Sequence, residues 1–118
     1  MWVDGPGRRP EDVDPAVRRA VGEMTTRALE LQVPSWDSLD EELLVPDVAD
    51  RLSEVRAPTL VVVGDEDVEH IQAIARRLAA DIPDARLVTI ADAAHFPSLE
   101  RPDAFDEALR GFLGDALS

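Results

Sequence analysis

The sequence contains neither cysteine nor lysine, because all twelve basic residues are arginine. Without cysteine, the chain has no disulfide bond, thiolate nucleophile or cysteine-ligated zinc site. Without lysine, it has no Schiff-base chemistry. It also lacks an apolar run long enough to span a membrane and an N-terminal signal region of charged and then apolar residues. These absences indicate a cytoplasmic protein that does not bind membranes.

Positive charge is scarce as well. The twelve arginines face twenty-five acidic residues, so that the formal net charge is -13. The arginines form no basic stripe, which argues against nucleic acid and anionic membrane surfaces as partners. The acidic residues are spread along the chain, as on a solvated protein surface. With 118 residues, 45% of them hydrophobic, the chain forms at most one domain.

The second half of the chain alternates between strand and helix patterns. Residues 59–63 are an apolar, β-branched run, typical of a strand in a parallel sheet, and residues 86–90 are a second strand. One amphipathic helix is predicted between them, ending at Pro83, and another begins at Pro102. Because a strand–helix–strand crossover makes its strands parallel, we predict an α/β fold with two parallel strands and flanking helices.

The first half, residues 1–54, is predicted to be a helical connecting segment. Asp14, followed by proline, is typical of a helix N-cap, and a further proline ends this helix near Val33. Residues 34–46 are irregular and acidic, and a short helix is predicted over about residues 47–52. The apolar residues expected to anchor the irregular stretch are Trp36, Leu39, Leu43 and Leu44.

Two loops carry the candidate catalytic residues. Loops 64–70 and 91–98 follow the two strands at the carboxyl edge of the sheet, where open α/β proteins bind ligands. Neighbouring strands lie about 4.8 Å apart, so Asp67 on the first loop can reach His95 on the second. A carboxylate that orients an imidazole forms two members of a Ser–His–Asp triad. We therefore predict a catalytic pair at this edge.

Other interpretations of the same residues stay open at this point. Asp65, Glu66 and Asp67 are each able to accept a hydrogen bond from an imidazole, and each is also placed to cap the next helix. A loop histidine such as His95 is often a surface or packing residue, and His70 is expected to be solvated. The histidines and nearby acids match no metal-ligand spacing, so no metal and no cofactor is predicted.

Two stretches of the chain resemble the C-terminal part of the α/β-hydrolase superfamily. Residues 57–67 (APTLVVVGDED) are similar to that family's seventh strand and acid loop, and residues 93–102 (AAHFPSLERP) to its histidine loop and final helix. The resemblance implies that Asp67, rather than Asp65, is the catalytic acid. It implies equally that His95 is the catalytic base.

The resemblance also implies a division of the chain. It covers residues 55–117, which it assigns to the strand–helix–strand–helix end of the α/β-hydrolase core, so this part is taken as 55–118. Residues 1–54, which begin with MWVDGP, are similar to the tail of the family's cap region. Within the resemblance, Glu100 is a structural residue that braces the final helix.

The nucleophile of that family has no counterpart in this sequence. The family's order is nucleophile, acid and histidine, with a serine nucleophile in Gly-x-Ser-x-Gly. No such motif precedes Asp67, and Ser98 comes after the histidine. The upstream serines, all without flanking glycines, are Ser35, Ser38 and Ser53. We therefore expect the C-terminal part of a longer protein, inactive alone, whose nucleophile (Ser, Asp or other) and oxyanion hole lie in the missing part.

The leading interpretation is a hydrolase of a small ester, lactone or related acyl substrate. The alternative is a non-catalytic, truncated module that binds a partner chain through its open sheet edge, by self-association or by pairing with the missing N-terminal half. A third interpretation is a receiver-like or magnesium-binding module built on residues 65–67. The absence of lysine and of an acidic strand end near the N-terminus weighs against this third interpretation.

Overall fold

The computed structural model describes residues 2–118 and has an α/β architecture. Its two strands, β1 (Thr59–Gly64) and β2 (Ala85–Ile90), pair in parallel from Thr59 opposite Ala85 to Gly64 opposite Ile90. The α-helices are α1 (Pro15–Gln32), α2 (Glu69–Asp81), α3 (Pro97–Glu100) and α4 (Pro102–Ala116). The predicted fold class, with parallel strands and flanking helices, is confirmed.

The start of α1 follows the predicted capping chemistry. The Asp14 carboxylate accepts a hydrogen bond from the Ala16 N–H at 2.8 Å, and proline occupies the first helical position. Just before it, a 3-10 turn over Pro10–Asp12 is closed by a 2.8 Å hydrogen bond from the Arg9 N–H to the Asp12 carboxylate. That backbone hydrogen bond lowers the pKa of the Asp12 carboxyl. Local side-chain bonds thus define how the chain enters α1.

The buried core lies at the carboxyl end of the sheet. Helices α2 and α4 both contact both strands. Within β1, burial is complete only at Val63 and Gly64, while the earlier strand residues are half-buried. The buried apolar residues of the described chain are Val13, Val21, Val63, Ala75, Ile82, Ile90, Ala93 and Ala94. The end of the sheet that carries the two loops is therefore its best packed part.

The apolar residues of the segment before β1 are not buried. Trp36, Leu39, Leu43 and Leu44 were expected to be anchors, but they are exposed, Leu44 to 82%. Of the apolar stripe along α1, Val21 alone is buried. A helix or loop buries an apolar face only against another packed layer, and residues 2–118 leave this face in solvent. The prediction of anchors was wrong for this reason.

Two further local predictions differ from the structure. The helix expected over about 47–52 is replaced by two 3-10 turns, Val48–Asp50 and Leu52–Glu54. The first of these turns is preceded by Asp47 in a left-handed conformation (φ 54), which interrupts a regular helix. The end of the predicted loop 91–98 overlaps the short helix α3, which begins with a proline at its first position.

No helix within residues 2–118 is both long and apolar enough to cross a bilayer. The cytoplasmic location stays a prediction. So does the division into a cap-like part, 1–54, and a core part, 55–118.

Removing a buried side chain at the sheet end should destabilise the chain strongly. Ile90 is buried opposite Gly64, so Ile90→Ala is expected to lower the free energy of unfolding by about 2–5 kcal/mol. The matched control Ile74→Ala removes an exposed side chain from α2 and should change it by less than about 0.5 kcal/mol. Urea unfolding of the two variants measures both values. Equal effects would contradict a core centred on this end of the sheet.

Candidate active site

The loops after β1 and β2 are joined by backbone hydrogen bonds. We call residues 65–68 the acid loop and residues 91–96 the histidine loop. The Asp65 N–H donates to the Ile90 carbonyl at 3.0 Å, and the Glu66 N–H donates to the Ala93 carbonyl at 2.9 Å. The parallel ladder thus continues past the strands and holds the two loops together.

Gly64 allows this close approach at the end of β1. A Cβ atom at this position would overlap the backbone carbonyl oxygens of both Ala93 and Ala94. Those oxygens belong to buried backbone and have little room to move, since Ala93 and Ala94 are each 0% exposed. The absence of a side chain at Gly64 is therefore a condition for the contact between the acid loop and the histidine loop.

Asp67 and His95 meet at this junction. The His95 Nδ1 lies 2.8 Å from the Asp67 Oδ2, and Asp67 is 4% exposed. The second carboxylate oxygen, Oδ1, accepts the Val68 N–H at 2.8 Å. The Asp67 carbonyl accepts from the Gln72 side-chain amide at 2.8 Å. Both carboxylate oxygens and the backbone are thus fixed, which leaves Asp67 one orientation.

The hydrogen bond assigns the tautomer of His95. An ionised carboxylate only accepts hydrogen bonds, so the imidazole donates from Nδ1 and its lone pair lies on Nε2. Within residues 2–118, Nε2 has no hydrogen-bond partner, and the side chain is 38% exposed. This arrangement leaves the second ring nitrogen of His95 accessible, as a general base requires.

Two aromatic rings flank the imidazole. The Trp2 ring lies 4.6 Å from that of His95, centroid to centroid, at an interplanar angle of 48°. The Phe96 ring lies 5.6 Å away, edge-on at 88°. The His95 N–H also donates to the Trp2 carbonyl at 3.2 Å. Trp2 is 46% exposed, so it presents an apolar surface beside the accessible nitrogen.

The remaining sequence candidates lie outside this contact. Asp65 and His70 are exposed, and α2 begins after Val68 without a side-chain cap, so the acids do not cap that helix. In the described chain, no hydroxyl group is hydrogen-bonded to His95. Nor do residues 2–118 contain a cluster of three acidic or histidine side chains that could hold a metal ion.

Sequence reasoning missed the contacts made by Glu100 and by the first residues of the chain. The Glu100 carboxylate accepts the Ala94 N–H at 2.7 Å, next to His95, in addition to ending α3 just before α4 begins. It also pairs with Arg8 at 2.7 Å. The WVDGPGR run, with its two glycines, predicts a turn-rich segment. It does not predict which residues that segment contacts, because they lie more than eighty positions away in the sequence.

Comparison with known protein families identifies the family of the chain. The model of the alpha/beta hydrolase family matches residues 2–108. The chain belongs to the α/β-hydrolase family, as the two motifs had indicated, and is a hydrolase-superfamily protein.

Individual relatives are similar over part of their length. The putative carbamate hydrolase RutD of Azorhizobium caulinodans is 37% identical over 75 residues, which are 64% of this chain and 28% of that protein. The structure of MenH from S. aureus matches with a TM-score of 0.59 at 32% identity, covering 63% of this chain and 27% of MenH. Est816, described as an N-acyl homoserine lactone degrading enzyme, matches with a TM-score of 0.51 at 53% identity. That match covers 54% of this chain and 25% of Est816.

A methyl group at Gly64 should separate the two loops. Gly64→Ala is expected to cost about 1–3 kcal/mol of stability, because buried backbone has to shift to admit the Cβ atom. It should also weaken the downfield NMR signal of the His95 Nδ1 proton. In the control Gly111→Ala, the new methyl group on α4 meets open space, and stability should rise by about 0.5–1 kcal/mol. A Gly64→Ala variant as stable as Gly111→Ala would contradict the close approach.

Proposed function

We propose that this chain carries the acid and the base of the nucleophile–histidine–acid triad of an α/β-hydrolase. Asp67 is the acid and His95 is the base. The observation that carries the proposal is the 2.8 Å hydrogen bond between the buried Asp67 carboxylate and the Nδ1 of His95. Membership of the family supports the same roles, since its triad includes this pair of residue types.

The pair would act in two proton transfers. The Nε2 of His95 accepts the proton of the nucleophile's hydroxyl group as the nucleophile oxygen attacks the acyl carbon. It then donates that proton to the leaving group as the acyl–heteroatom bond breaks. Asp67 stays ionised throughout and stabilises the imidazolium formed between the two transfers. Its burial strengthens this interaction, because little water screens the carboxylate.

The proposed substrate class is a small ester, lactone or related acyl compound. Two similar proteins are described as a putative carbamate hydrolase and as an N-acyl homoserine lactone degrading enzyme, and carbamates and lactones both contain an acyl carbon bonded to a heteroatom. The half-exposed ring of Trp2 beside His95 offers contact to an apolar part of such a substrate.

We propose further that the nucleophile and the oxyanion hole are supplied by polypeptide outside these 118 residues, which by themselves are inactive. The matched regions cover about a quarter of the length of each of the three relatives named above, which supports this view. In this proposal residues 55–118 complete the hydrolase core, and residues 1–54 are its cap-like connection. The protein works in the cytoplasm on a small molecule.

A second candidate function is partner binding without catalysis. The exposed apolar residues before β1 and the two-stranded sheet favour it, because both leave groups that another chain could cover. The 118-residue chain would then self-associate in the absence of any other protein.

Substitution of the pair tests the catalytic roles in the enzyme that includes the nucleophile. His95→Ala should lower kcat by about 10⁴–10⁶-fold, since the general base is lost. Asp67→Asn should lower it by about 10⁴-fold, because an amide favours the wrong imidazole tautomer. The matched controls His70→Ala and Asp65→Asn change exposed residues outside the contact and should retain activity. Near-normal turnover by His95→Ala would refute the assignment.

The 118-residue chain alone tests where the nucleophile lies. Assayed with ethyl acetate, an unactivated ester that a lone imidazole does not cleave at a measurable rate, it should release acetic acid no faster than its own His95→Ala variant, since no nucleophile is activated. His95-dependent turnover by the chain alone would contradict an external nucleophile.

Size-exclusion chromatography of the same samples tests the partner-binding function, for which a stable monomer is the contrary result.

A further inference from the structure

We propose that Arg8 is a positioning residue for His95, acting through Glu100 and through the first residues of the chain. This inference rests on the proposed function, in which His95 is the base. Residues 2–8, which we call the strap, lie against the histidine loop. The Arg8 side chain is only 11% exposed and connects the strap to that loop. A buried arginine of this kind is costly unless every contact is used.

Arg8 first acts on the residue before His95. Its Nη2 donates to the Glu100 Oε1 at 2.7 Å, and the Glu100 Oε2 accepts the Ala94 N–H at 2.7 Å. Glu100 is 5% exposed as a side chain, and Ala94 is fully buried. The Glu100 carboxylate therefore binds the Ala94 backbone through one oxygen and the Arg8 guanidinium through the other. This ion pair orients the Ala93–Ala94 peptide group, which directly precedes the backbone of His95.

Arg8 also holds the start of the histidine loop. Its Nη1 donates to the Asp92 carbonyl at 3.1 Å. Asp92 adopts a left-handed conformation with φ 55, which is unfavourable for a residue with a side chain and persists only where neighbouring contacts impose it. The guanidinium is such a contact, so it helps to retain the turn that leads β2 into His95.

The same guanidinium holds the strap in place. Nη2 donates to the Val3 carbonyl at 2.9 Å, and Nε donates to the Asp4 carbonyl at 2.7 Å. The next carbonyl along the strap, that of Trp2, accepts the His95 N–H. Arg8 thus fixes groups on both sides of His95: the loop residues 92–94 and the strap residues that contact the His95 backbone and ring.

Only a planar fork of donors can make this set of contacts. Arg8 reaches three backbone carbonyls and one carboxylate from three nitrogens. The ammonium group of lysine has three donors at a single point and cannot span these acceptors. The Arg8 contacts leave the imidazole itself untouched, so they bear on where the ring lies rather than on its chemistry.

Kinetics of Arg8 variants in the nucleophile-containing enzyme test the inference. Arg8→Met should lower kcat by about 10–100-fold, because a displacement of the base by about 1 Å costs this much, and KM should stay within about threefold. Arg8→Lys, which retains the charge and part of the bonding, should lie between. The control Arg9→Met changes an exposed arginine whose ion pairs within residues 2–118 are with Glu11 and Asp12, and it should leave kcat unchanged.

Each kcat value is taken per folded molecule, well below the unfolding midpoint of the variant. A residue that acts only on stability would then leave kcat unchanged, whereas a positioning residue lowers it. The downfield Nδ1 proton signal of His95 should also broaden or shift in Arg8→Lys but not in Arg9→Met. If Arg8→Met does not fold, Glu100→Gln, compared with the exposed Glu107→Gln on α4, gives the same kinetic comparison.

The outcomes separate this inference from the proposed function. Unchanged kcat and an unchanged His95 signal in Arg8→Lys and Glu100→Gln, with His95→Ala inactive, would overturn the positioning role and leave the triad intact. An active His95→Ala enzyme would overturn the proposed function itself. A fall in kcat at Arg8 and Glu100, without one at Arg9 and Glu107, supports the inference.

Discussion

The close approach of two backbone segments at Gly64 is the constraint on which the site depends. The parallel ladder brings the end of β1 against the carbonyl groups of Ala93 and Ala94, and only a residue without a side chain fits there. This contact places the acid loop beside the histidine loop, so that Asp67 and His95 meet at hydrogen-bond distance. The pair is therefore preorganised by backbone packing, because this packing fixes the positions from which the two side chains extend.

Charge is distributed differently at this centre and elsewhere in the molecule. Most ion pairs of the described residues are exposed, and such pairs contribute little to stability. Asp67 and Glu100 are buried instead, and each has both carboxylate oxygens occupied. A buried charge is tolerated only with such complete partnering. Two fully partnered carboxylates, on either side of one accessible histidine, make this region more rigid than its exposed surroundings.

The strands, the main helices and the meeting of the two loops could be predicted from strand period, proline positions and the rule that parallel strands end at one edge. Those patterns left three neighbouring acids open as partners of His95, and the choice of Asp67 came from the resemblance to the α/β-hydrolases. The Arg8–Glu100 pair could not be predicted, because no local pattern links positions 92 apart in the sequence. The burial of Trp36 and Leu43 was wrongly expected for a related reason. The hydrophobicity of a side chain predicts that it should be covered by other residues. It does not predict whether residues 2–118 include the residues that would cover it.

The acid loop and the histidine loop are well packed, whereas the apolar segment before β1 is exposed. This difference bears on how the proposed enzyme is organised. Base and acid need positions fixed to within a fraction of an ångström, and they lie where Ala93, Ala94 and Ile90 are fully packed. The stretch around Leu43 and Leu44 is exposed and irregular, and segments with few buried contacts are the ones that open most readily. Under the proposed function, proton transfer would belong to the rigid sheet end. Discrimination among acyl groups would then fall to the exposed segment together with polypeptide outside these 118 residues, since a surface formed by two parts can vary without disturbing the Asp67–His95 pair.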